Sequence, residues 1–231
     1  MHGRRPFLIA VLTVLNAGAV AAQDRAANPG SESSVSVPAA PEDGGPRNWE
    51  VTGVSRALNL REQPSTAARV VTSYLPGTLL DNLGCQRAGG RVWCDVQQLG
   101  GGPRGYVAVE YLRPAVSPDG SVSTGLDDSA LRAGQGQFDA TGSLPCAQRA
   151  GRPTGECDFG VARAGGGYAT VVITRPDGRT RAVFFRMGRP IGADTSEADP
   201  GTFNATREGD VNTIRIGDER YEIPDAVVLG G

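Results

Sequence analysis

The sequence predicts an all-β protein of two small domains, an N-terminal barrel and a C-terminal antiparallel β domain. Three observations carry this. Glycine (33) and proline (16) together exceed a fifth of the 231 residues, a turn-rich composition that leaves little room for long helices. Apolar residues fall in short alternating runs, Leu58/Leu60, Val70-Val71, Leu79-Leu80, Val92 to Val96 and Tyr106 to Val109, separated by turn formers such as Gln63-Pro64-Ser65 and Pro76-Gly77. A hairpin signal, Arg175-Pro176-Asp177-Gly178, divides two β-branched runs in the C-terminal half.

Residues 1–22 have the parts of a secretory signal peptide: Arg4 and Arg5, the apolar run Phe7 to Leu15, and small residues ending Ala19-Val20-Ala21-Ala22. That run is too short to span a bilayer as a helix, which takes about 20 residues. The expected protein is therefore periplasmic or secreted, with no membrane contact after cleavage. Without residues 1–22 the chain holds 21 Arg against 25 Asp and Glu, a formal charge of −4, and it contains no lysine. An acidic balance argues against nucleic acid as a partner. Residues 23–47, rich in Ala, Ser, Pro and Gly without apolar periodicity, read as a disordered linker.

Export makes the four cysteines a disulfide-permissive set. Cys85 and Cys94 flank a Gly89-Gly90 turn. A two-residue hairpin there pairs Ala88 with Arg91, Arg87 with Val92, Gln86 with Trp93 and Cys85 with Cys94. The cysteines then form a non-hydrogen-bonded pair with Cα atoms about 4.5 Å apart, within disulfide range. Cys146 and Cys157 bracket a Gly/Pro-rich loop and form the second bridge. Zinc is disfavoured because neither pair has Cys-x-x-Cys spacing and the only histidine is His2. No metal and no cofactor are expected.

Residues 48–114 hold five or six short strands, which close most economically as a small barrel. Leu58-Asn59-Leu60-Arg61 precedes Pro64-Ser65; then come Leu75-Pro76-Gly77-Thr78, Trp93-Cys94-Asp95-Val96, Gly105-Tyr106-Val107 and Tyr111-Leu112. In this order and spacing residues 50–114 resemble the bacterial SH3 (SH3b) family, with Tyr106 where the family commonly has tryptophan. The resemblance implies an SH3-like barrel that binds rather than catalyses. Leu58 and Leu60 point to the core, leaving Asn59 and Arg61 on the other face to brace loops. Trp93 is assigned to the core. Tyr74, Tyr106, Tyr111 and Arg61 are the candidate ligand-binding residues, because a peptide or glycan groove needs rings beside polar groups.

Residues 115–137 read as a second, solvated linker, with one helical turn from Asp128, the cap, to Gly134, the stop. Residues 138–231 are the antiparallel β domain, with Phe159, Val171, Ile173, Phe184, Ile214, Ile216 and Tyr221 in its core. Tyr168 to Thr174 pairs with Arg179 to Phe185. A four-residue loop, Gly217 to Arg220, places Ile216 opposite Tyr221, Arg215 opposite Glu222 and Ile214 opposite Ile223. The run from Cys157 to Arg179 with Arg220 to Val228 is similar to the C-terminal part of uncharacterised exported bacterial proteins that also carry SH3-type modules. That likeness implies no activity.

Wall peptidases and amidases need a thiolate with histidine, a Ser-Lys pair, or histidine-held zinc. Removal of residues 1–22 leaves neither histidine nor lysine, so the expectation is a protein that is not an enzyme. The acids Asp194, Glu197 and Asp199 share one loop, which reads first as solvated, then as a calcium site, and last as a pair of glycosidase carboxylates. Residues 50–114 carry seven Arg and five acids, a local positive surplus that suits a carboxylate-bearing wall peptide. The expected function is recognition of peptidoglycan peptides. The alternative is an adaptor or inhibitor whose C-terminal β domain docks on another envelope protein.

Overall fold

In the computed structural model, which describes residues 36–151, 154–194 and 201–230, nearly all regular structure is β. Seven strands make the N-terminal sheet: β1 (Asn48–Val51), β2 (Leu58–Arg61), β3 (Val70–Tyr74), β4 (Leu79–Ala88), β5 (Arg91–Gln98), β6 (Arg104–Ala108) and β7 (Leu112–Pro114). Their order is β3-β2-β6-β5-β4-β1-β7. The long β4 shifts register between Asn82 and Cys85, where Gly84 takes a φ of 106°; its first part is shared by β1 and β5. Trp49, Val51, Leu58, Leu60, Leu80, Val96 and Val107 form the core. The β4-β5 hairpin has the expected pairing down to Cys85 opposite Cys94, whose Cα atoms lie 3.9 Å apart in a disulfide.

Eight strands follow: β8 (Ala140–Ala147), β9 (Gly155–Gly165), β10 (Tyr168–Thr174), β11 (Thr180–Arg186), β12 (Arg189–Ala193), β13 (Phe203–Glu208), β14 (Val211–Ile216) and β15 (Glu219–Pro224). They form an antiparallel meander in which β15 returns to pair with β8, and β12 comes into contact with β13. The sheet thus nearly closes around one apolar interior of Val161, Val171, Ile173, Val183, Ile214 and Tyr221. The Cys146–Cys157 disulfide staples β8 to β9.

Two details differ from the sequence expectation. Phe185, not Phe184, enters the core, because Val171 and Ile173 lie opposite Val183 and Arg181 and so turn alternate residues of β11 inward. The β14-β15 turn has two residues rather than four: Ile216 faces Glu219 and Ile214 faces Tyr221. A two-residue shift keeps every side chain on its face. It is favoured twice. Gly217 supplies the positive φ, 57°, that a tight hairpin needs, and Glu219 becomes a buried counter-ion. Its carboxylate accepts from Arg181 Nε at 2.9 Å, from Arg181 Nη2 at 3.0 Å, from the Tyr221 hydroxyl at 2.9 Å and from Arg175 Nη1. Burial, and then the Glu219 charge, push the Tyr221 phenol far above its ordinary value.

The described residues form one compact unit, and the segments expected to be spacers take part in it. Residues 36–47 include a 3-10 turn, Pro41–Asp43. Asn82 donates to the Pro46 and Ala39 carbonyls. The nearly buried Arg47 donates to the carbonyls of Gly125, Leu126 and Ala164 and lies 4.7 Å over the Tyr168 ring. One guanidinium with five donors thus gathers three chain segments, which composition alone does not reveal. The rest of the expected linker, residues 23–35, and the expected signal, residues 1–22, lie outside the described residues. Within 115–137, Ala115 and Ser117 are buried and Pro46 bridges Thr124. The helical turn is α1 (Ser129–Gly134). Its Ser129 N–H is taken by Asp127 rather than by an Asp128 side-chain cap. A terminal turn, α2 (Asp225–Leu229), buries Val228 against the second core.

Candidate functional site

Alternation places Leu58 and Leu60 in the N-terminal core and turns Asn59 and Arg61 away from it. On β5 the same rule applies: Cys94 and Val96 are in the core, so Trp93 stands on the opposite face, although only 3% of it is exposed. Arg91 lies over its ring, and Trp93 forms part of the wall of a depression of about 420 Å³. The charged, amide and aromatic lining comprises Arg56, Asn59, Arg61, Arg91, Trp93 and Tyr111, with no carboxylate among the lining residues.

Arg61 Nη1 donates to the Ala68 carbonyl at 2.7 Å, bracing the loop between β2 and β3 as expected, and the residue also lines the depression. Arg91 stacks 5.8 Å from the Trp93 ring centre, two residues along the same strand face, and its Nη2 lies 2.7 Å from Glu110 Oε1. A second depression of about 630 Å³, bounded by Pro64, Ser65 and Gly89, shares Thr66, Arg91 and Trp93 with the first. The two make a groove across one face of the barrel, divided by the Arg91–Trp93 stack. A planar guanidinium can give two parallel hydrogen bonds to a carboxylate, and the amide and the rings stand beside these donors.

Of the four ligand-binding candidates the structure brings Arg61 and Tyr111 together in this groove. Tyr74 is buried at 5% exposure and donates its hydroxyl to the Pro103 carbonyl at 3.3 Å; burial pushes its phenol above the ordinary value. Its ring serves the core. Tyr106 is half-buried, pairs in register with Arg61 and with Asp95, and does not line the groove. Arg56 and Arg91 escaped the sequence reading, whereas Trp93 is buried as expected and takes part in the groove wall as well. The one signal was the i, i+2 spacing of Arg91 and Trp93, which puts them on one strand face.

Asp194 is exposed and bonded through its backbone, its N–H to the Ala182 carbonyl and its carbonyl to Arg181. Glu197 and Asp199 lie outside the described residues. Among the described residues there is no cluster of three metal-ligating side chains, and no helix is long and apolar enough to cross a membrane.

Comparison with known proteins bears on the same face of the molecule. Residues 56–113 match the bacterial SH3 domain family, a span that includes every polar and aromatic residue of the groove lining named above. No curated protein and no solved structure matches the chain.

Proposed function

From a bacterial SH3 domain at residues 56–113, we propose that this chain is an exported, non-enzymatic binding protein that recognises peptidoglycan peptides through its N-terminal barrel. The observation that carries the reading is the groove wall: three arginines, two aromatic rings and no carboxylate, in a protein that is acidic overall. A wall peptide presents free carboxylates on an extended backbone. Arg56 and Arg61 supply the charge-assisted donors for these, and the half-buried Tyr111 ring supplies flat apolar surface, with Trp93 behind it in the wall. Two disulfides fit an extracytoplasmic protein. Bacterial SH3 domains are binding modules, often of the cell wall.

Cosedimentation of the purified full chain with isolated sacculi tests the reading. The chain pellets with the wall material if the reading holds; a chain that stays in the supernatant contradicts it.

A further inference from the structure

Resting on that reading of the groove, we propose that Glu110 is a built-in competitor for the ligand: it holds Arg91 until a ligand carboxylate takes its place. Arg91 lines both depressions, so a chain laid along the groove must pass it. Glu110 lines neither depression, yet its carboxylate is 2.7 Å from Arg91 Nη2. The guanidinium is therefore positioned in the groove and paired outside it. Both side chains are about two-fifths exposed, 41% and 37%. An ion pair in that setting is worth little, at most about a five-fold factor in an equilibrium, so exchange for another carboxylate is inexpensive. The stack on Trp93 keeps Arg91 over the groove whichever carboxylate it holds.

The consequence is a filter. A ligand without a carboxylate near the divide gains nothing from Arg91, whereas an acidic one recovers the interaction that Glu110 gives up. The ligand class is an extended acidic peptide long enough to cross from one depression to the other.

The test uses the full chain and two synthetic stem tetrapeptides, one with its carboxyl groups free (the free acid) and the other with every carboxyl group amidated (the amide). Glu110→Gln tightens binding of the free acid about two- to five-fold, leaves the amide unchanged, and Arg91→Gln weakens the free acid. Equal or weaker binding of the free acid by Glu110→Gln overturns the proposal and leaves wall-peptide recognition standing. A second measurement needs no peptide: the Arg91 Nε–H resonance is followed during titration with sodium acetate against sodium chloride at matched ionic strength. A shift at several-fold lower acetate in Glu110→Gln than in the wild type supports the competitor role even if neither peptide binds, in which case the wall-peptide reading fails alone. Identical acetate curves overturn it.

Discussion

Tyr168, at the start of β10 in the C-terminal sheet, donates its hydroxyl to Asn48 Oδ1 in β1 of the N-terminal sheet, 120 residues away. Asn48 Nδ2 in turn donates to Asp81 Oδ1 at 2.9 Å, and Asp81 Oδ2 accepts from Arg186 Nη1 of β11 at 3.2 Å. The polar chain lies beside an apolar contact of Ala115, Tyr168 and Met187 with Leu79 and Leu99. The two sheets are joined by a buried network, and such networks are costly to leave half-satisfied.

Tyr168→Phe removes one donor and leaves the buried Asn48 oxygen without it. The expected loss of stability is about 1–3 kcal/mol. Both tryptophans, Trp49 and Trp93, lie in the N-terminal sheet, so fluorescence reports that sheet while circular dichroism reports both. Wild-type urea transitions by the two probes coincide if the junction couples the sheets. Separate midpoints contradict the coupling.

Burial raises the Asp81 carboxyl above its ordinary value, and Arg186 and Asn48 offset this only in part. The folded protein therefore holds this proton more tightly than the unfolded chain does. Stability from Asp81 is greatest below the ordinary carboxylate range and is lost as pH rises through the raised value. The difference in unfolding free energy between the wild type and Asp81→Asn should fall across that window and then level off. A difference that grows with pH contradicts the assignment.

Glu219→Gln leaves the guanidinium groups of Arg175 and Arg181, 3% and 1% exposed, without their shared carboxylate. Breaking a buried pair in this way costs about 3–5 kcal/mol. Glu62→Gln, which breaks the exposed pair with Arg69, costs about 1 kcal/mol or less. Thermal denaturation of the two variants side by side gives the comparison; similar losses contradict it.

Replacing both Cys146 and Cys157 by alanine frees the β8-β9 staple and lowers stability by about 2–4 kcal/mol, read from the denaturant midpoint. An unchanged midpoint contradicts a stabilising role for the bridge.

The strands and the disulfides were legible because alternation and turn residues are local signals. Gly89-Gly90 sets the β4-β5 register from the turn as far as Cys85 opposite Cys94. What escaped depends on long-range polar contacts. Arg47 sits in a stretch with the composition of a spacer, and only the fold brings the Gly125, Leu126 and Ala164 carbonyls to it. Glu219 and Arg181 carry no local mark of burial, yet each satisfies the other inside the second core. In the groove Tyr111 was found because it is an aromatic near a strand end. Arg56 and Arg91 carried no such mark, and nothing local separates Tyr74, which ends β3 with its ring in the core, from Tyr111, which ends a 3-10 turn, Val109–Tyr111.

The groove itself is tested most directly by sacculus cosedimentation of the wild type beside Arg56→Gln/Tyr111→Ala and Tyr106→Ala, each checked for wild-type circular dichroism. The account predicts that the wild type and Tyr106→Ala pellet alike, while the double variant loses most of its binding. Equal pelleting by all three contradicts a ligand site in the groove.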